Sequence, residues 1–245
     1  MGKAMQKLLV GAFLAVLVVG LGYIYWSPSP VAPPKKPAEH ELPLVAPTAL
    51  AVADPGKGSN LIWPSEDFSH PNWGTPENAS VLTDVETAPN GTKTADRLVE
   101  STAMGVHRIE TGIAGLRRDT AVYTFSLFVK PAERSGILFE LRDSRPGKYG
   151  VARFDLNNPG NVVKANDVFD AGVELAPNGW YRCWVVMPYA TDHAVINLAL
   201  IGSEGSQTYI GDGRSGILIW GAQLEPSNAA SPYLATTTEP VVGGR

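Results

Sequence analysis

Within Phe139-Glu140-Leu141-Arg142-Asp143, a carboxylate and a guanidinium stand two residues apart. On an extended strand, residues i and i+2 share a face. Glu140 and Arg142 are therefore expected together, either as a charge pair on a solvated surface or as hydrogen-bonding groups for a ligand. Carboxylates acting in pairs, as glycoside hydrolysis requires, could be drawn from Glu110, Glu140, Asp143, Asp155 and Glu225, though scattered acidic residues also pair by chance. The four histidines, His40, His70, His107 and His193, have no metal-ligand spacing, and His107 is expected at the surface. A single Cys183 allows no internal disulfide and no cysteine-based zinc site. A serine nucleophile would sit in a Gly-x-Ser-x-Gly elbow, which is missing. Gly211-Asp212-Gly213 is too short for a phosphate loop and reads as a turn, whose Asp212 could contribute to a structural calcium site.

The elements that must position these groups are strands. From Asn60 onward the apolar residues alternate with period two, and no 3.6-residue pattern stands out. Tyr123–Lys130 reads YTFSLFVK, with Tyr123, Phe125, Leu127 and Val129 on one face. Residues 137–142, 151–156, 180–187, 194–201 and 217–224 repeat the signature. Turn clusters such as Pro89-Asn90-Gly91, Pro177-Asn178-Gly179 and Gly211-Asp212-Gly213 separate them. Many short strands with such punctuation predict an all-β, two-sheet antiparallel β-sandwich of jelly-roll type over residues 60–237, followed by a tail over 238–245. Trp180, Trp220, Leu224 and Tyr233 are expected to pack and seal it. A chain of 245 residues with a net charge of −4 can bury a full core, and it lacks the basic face that nucleic acid requires.

The first 59 residues are of another kind. Leu8 to Trp26 carries no charge, follows Lys3 and Lys7, and ends in Tyr23, Tyr25 and Trp26. At 1.5 Å per residue it spans roughly 28 Å, enough for a bilayer core of ~30 Å, and aromatic rings favour the headgroup region. The run is long for a cleavable signal and exits without a small-x-small site. Residues 1–26 thus read as a cytoplasmic tip and a transmembrane helix. Prolines at 28, 30, 33, 34, 37, 43, 47 and 55 make 27–59 an extended linker. The expected arrangement is a single-pass protein with its amino terminus cytoplasmic and its body periplasmic or extracellular.

The stretches NLIWPSEDFSHPNW (60–73), TADRLVE (94–100), YTFSLFVK (123–130), PNGWYRC (177–183), GDGRSGILIWGAQLE (211–225) and SPYLATT (231–237) occur in one order. That order resembles the carbohydrate-binding-type jelly-roll modules of phage head and tail fibres and bacterial surface proteins, over almost the whole body. The resemblance implies a polysaccharide or glycan as partner, and by analogy with fibres it also allows oligomerisation. A structural module that packs against protein is the alternative. A transmembrane segment departs from the virion setting and favours a membrane-tethered surface protein.

Sugar recognition needs flat rings for C–H faces and planar polar groups for hydroxyls. Polar residues pointing outward on apolar strands supply the second, which selects Glu140, Arg142, Arg153 and Asn197, with Tyr149 beside them and Trp184 as a ring. These six form a site only if their strands line one sheet, because a slip of one residue reverses every face. Glu140-Leu141-Arg142 is also similar to the Glu-Leu-Arg strand of jelly-roll alginate lyases, in which the arginine binds a uronate. Those enzymes need a Gln-x-His strand and a Tyr-rich strand near the end. Neither Gln-Ile-His nor Gln-Val-His occurs here, and the last strand reads ILIWGAQLE. Elimination is left without its acid–base pair, so the chain reads as a binder, without catalysis and with no cofactor beyond the calcium that Asp212 allows.

Overall fold

A computed structural model of the protein describes residues 58–116, 122–143, 147–188 and 192–243. The expected transmembrane helix and nearly all of the linker lie outside the described residues, among which no helix is long and apolar enough to cross a membrane.

The period-two segments become two antiparallel sheets. One has six strands in the order β1 (Ala79–Glu86), β2 (Ala95–Glu100), β13 (Gly216–Glu225), β5 (Tyr123–Lys130), β10 (Tyr181–Met187) and β9 (Asp170–Leu175). The other has five, in the order β4 (Arg108–Ala114), β11 (His193–Ile201), β6 (Gly136–Asp143), β7 (Tyr149–Asp155) and β8 (Val162–Asn166). A two-stranded ribbon pairs β3 (Met104–Val106) with β12 (Thr208–Ile210). The inner faces of the large sheets meet in one core. Phe125, Leu127, Cys183, Val185 and Ile219 from the six-stranded sheet join Ile137, Phe139, Leu141, Phe154 and Ile196 from the five-stranded one. Phe125 and Phe139 touch edge to face across this layer, their centroids 5.1 Å apart.

Strands β5 and β13 are buried on both faces, because the chain after β13 folds back over the outer side of the six-stranded sheet. There Tyr233 packs on Trp220 at 4.6 Å and on Phe128 at 5.8 Å. Further along, polar outward residues of these strands are satisfied by the returning segment: Thr124 donates to the Ser227 carbonyl at 2.8 Å, and Gln223 donates to the Ser231 hydroxyl at 3.1 Å. Gly221, at φ 63°, forms the bulge between Trp220 and Gln223, where a Cβ would stand 3.1 Å from Phe128 and 3.2 Å from Tyr233. Asn60 ties the two ends of the body together. Its backbone pairs with Val241, and its side-chain amide donates to the carbonyls of Ala222 and Leu234.

The turn expected at Pro177-Asn178-Gly179 is present, with Asn178 and Gly179 at φ 62° and 77°. Those left-handed angles are least strained for these two residue types.

Candidate functional site

The outer side of the five-stranded sheet divides into a covered half and an open half. Along β6, Ile137, Phe139 and Leu141 enter the core, so Leu138, Glu140 and Arg142 point away from it. The register sets Leu138 between Ala199 and Arg153, Glu140 between Asn197 and Val151, and Arg142 between Val195 and Tyr149. Leu138, Ala199 and Ile201 are buried beneath Val106 of the β3–β12 ribbon, which closes that end of the face. The polar residues further along remain open.

In the open half, one hydrogen-bonded network spans β4, β11 and β6. Arg142 Nη2 lies 3.1 Å from Glu110 Oε2, and Arg142 Nε lies 3.3 Å from Glu140 Oε1. Asn197, buried beneath them at 1% exposure, is the cross-strand neighbour of both glutamates. With its amide oriented by these partners, Nδ2 donates to Glu110 Oε2 at 2.7 Å, and Oδ1 accepts from Arg142 Nη2 at 3.0 Å and Nε at 3.2 Å. Next to Arg142 on β7, Tyr149 is 39% exposed. The arrangement sets hydroxyl acceptors and a guanidinium beside an accessible aromatic face.

The structure places five of the six residues expected to bind ligand on this one face: Glu140, Arg142, Tyr149, Arg153 and Asn197. Arg153 stands toward the covered end and donates to the Gly205 carbonyl. Trp184 does not join them. It belongs to β10 and points outward from the six-stranded sheet, on the far side of the sandwich, across Gly172 of β9. Alternation along a strand gives the face but not the sheet, which explains the misplacement. Glu110, weighed in the sequence only as one of several carboxylates, is the member the binding set lacked.

His193 also faces outward here, a histidine beside the arginine-bearing strand that sequence motifs did not reveal. Its ring leans over Gly112 of β4, with Nε2 3.5 Å from where a Cβ would stand. Tyr149 and His193 lie on β7 and β11 with β6 between them. Glu110 and Glu140 both contact the Arg142 guanidinium.

One other expectation is corrected. His107 is not a surface residue but fully buried, with Nδ1 2.6 Å from the Asn78 carbonyl and Nε2 3.2 Å from the Tyr209 carbonyl. Asp212 spends its carboxylate on the turn itself, accepting from the backbone of Arg214 and Ser215 and from the Ser215 hydroxyl. These bonds hold its carboxyl well below the usual carboxylate range. Among the described residues, no group of three or more His, Cys, Asp or Glu side chains could hold a metal ion.

A cavity of about 280 Å³ opens at another place, lined by Glu66, Asp67, Ser69, Thr83, Asp84, Thr94 and Asp96. Asp96 at its base accepts from the backbone N–H groups of Phe68 and Asp84. Burial nevertheless pushes its carboxyl up to about 6.

No protein-family model matches this chain, and no curated protein matches it. Solved structures similar to it include carbohydrate-binding modules, a phage tailspike domain and a Bacillus thuringiensis Cry1Da tryptic core variant. The enzymatically active domain of bacteriophage CBA120 tailspike protein 4 aligns at 15% identity and TM-score 0.42, covering 68% of this chain but only 21% of the tailspike domain. The CBM22-1 xylan-binding domain of Paenibacillus barcinonensis Xyn10C aligns at 14% identity and TM-score 0.40, covering 71% of this chain and 98% of that one. TmCBM61, solved with β-1,4-galactotriose, aligns at 10% identity and TM-score 0.37, covering 67% and 97%. At such identities and TM-scores these likenesses assign neither a family nor a ligand to this chain.

Proposed function

We propose that this chain is a non-catalytic carbohydrate-binding module of jelly-roll type that presents the open half of its five-stranded sheet to a polysaccharide or glycan. The supporting observation is the Glu110–Asn197–Arg142–Glu140 network beside the exposed Tyr149 ring. Carboxylates and a guanidinium fixed at a sheet surface match the hydroxyls of a sugar, and a neighbouring ring offers its flat side to the C–H groups. Planar side chains held by their own hydrogen bonds lose little conformational freedom when a ligand binds. In this proposal residues 8–26 anchor the module in a membrane with the amino terminus cytoplasmic, and the proline-rich segment 27–59 lifts it away on the periplasmic or extracellular side.

The test is a glycan array probed with the full chain in detergent. Selective retention of one class of glycan supports the reading. A blank array from a chain with an intact β-sheet spectrum and a cooperative melt contradicts it, and moves the function toward assembly with protein.

A further inference from the structure

Resting on that reading, we infer that Arg142 is a positioning residue that holds Glu110 and Glu140 as acceptors for the hydroxyls of an uncharged sugar, rather than the receptor for a ligand carboxylate. A guanidinium recognises a carboxylate best through two parallel N–H donors on one edge. In Arg142 the edge formed by Nε and Nη2 is already occupied: Nη2 faces Glu110 and the Asn197 amide oxygen, and Nε faces Glu140 and the same oxygen. Two carboxylates around one guanidinium leave the cluster with a single net negative charge, which disfavours a second anion.

The glutamates are better placed to receive a ligand. Glu110 accepts from Arg142 through Oε2, Glu140 approaches it through Oε1, and the Glu110 side chain is 44% exposed. An ionised carboxylate accepts several hydrogen bonds, so the remaining oxygens can take sugar O–H donors. Such charge-assisted bonds are stronger than neutral ones. Among the described residues, the cations on β7 and its approach are engaged elsewhere, Arg153 with the Gly205 carbonyl and Lys148 with Asp167 at 3.8 Å.

The experiment measures the affinity of the full chain in detergent for uncharged polymers (xylan, mannan, galactan and fully methyl-esterified polygalacturonate) and for polygalacturonate itself. Wild type is compared with Glu110→Gln, Glu140→Gln, the double variant and Arg142→Ala. The inference expects an uncharged polymer to bind, and each Glu→Gln change to weaken it about tenfold through loss of a charged acceptor. It expects Arg142→Ala to weaken the same polymer, and the double Glu→Gln variant, which frees the guanidinium, to gain affinity for polygalacturonate. The Glu→Gln changes keep side-chain shape, so the test stands even if Arg142→Ala fails to fold. Uncharged binding indifferent to both glutamates overturns the inference, as does polygalacturonate binding that Arg142→Ala abolishes while uncharged binding persists. In either case the glycan reading survives. Failure of every polymer to bind contradicts the glycan reading itself and the inference with it.

Discussion

The Trp184 indole lies across Gly172 of the adjoining strand, so close that a Cβ on the glycine would meet the ring's Cζ2 at 2.6 Å and its Cε2 at 2.9 Å. A ring laid over an edge-strand glycine restores apolar cover where the strand has no side chain. Trp184→Ala is therefore expected to lower stability by about 1–3 kcal/mol while leaving glycan affinity unchanged. Gly172→Ala should displace the ring at a cost on the order of 1–3 kcal/mol. Chemical denaturation alongside a binding isotherm checks both. Loss of glycan affinity in a Trp184→Ala protein that melts normally would return this residue to the binding site.

Glu100 and Arg134 form a largely enclosed ion pair. Their side chains are 0% and 14% exposed, and two hydrogen bonds of 2.7 and 2.6 Å join them. Glu100 also accepts from Tyr209 Oη and the Asp212 backbone N–H, so it fastens β2 to β12 and the turn that follows. Burial alone would raise the Glu100 carboxyl, but the Arg134, Asp212 and Tyr209 hydrogen bonds outweigh it and leave it below its ordinary value of 4.5. The stability it contributes is thus present above pH 4.5 and is lost as pH falls through the lower folded value. Arg134→Ala, which strands a buried carboxylate, should cost about 3–5 kcal/mol at neutral pH. The deficit should shrink in acid. A deficit independent of pH would show that the pair acts by packing alone.

Asp96 behaves in the opposite sense. Its carboxyl, raised from 3.8 to about 6 by burial, binds protons more readily in the folded chain than in the unfolded one. Its contribution to stability is full below pH 3.8 and is lost as pH rises through about 6. A carboxyl ¹³C titration should give a midpoint near 6. A midpoint in the ordinary carboxylate range would mean that the cavity around it is well hydrated.

Much of this architecture is legible in the sequence, and the reasons are local. YTFSLFVK sets Tyr123, Phe125, Leu127 and Val129 on one face, so β5 is found with its boundaries, and Glu140, Arg142, Arg153 and Asn197 can be placed on the faces opposite Phe139, Phe154 and Ile196. Strands β1 and β8 are edge strands with mostly exposed residues, so their alternation carries little signal. Which strands neighbour one another is set by long-range pairing. For that reason Trp184 could not be assigned to its sheet, nor Glu110 recognised as the partner of Asn197 and Arg142. His107 is hidden in the same way, since its burial depends on Asn78 and on Tyr209, 102 residues further along.

Removal of Tyr149 and of Arg142 in turn bears most directly on the carbohydrate-binding assignment. Isothermal titration of the full chain with the glycan retained most strongly on an array, repeated for Tyr149→Ala and Arg142→Ala, should show affinity falling by about tenfold or more in each. The β-sheet spectrum should be preserved in both. Wild-type affinity in both variants would contradict the account, because the open half of the five-stranded sheet would then not be where the glycan binds.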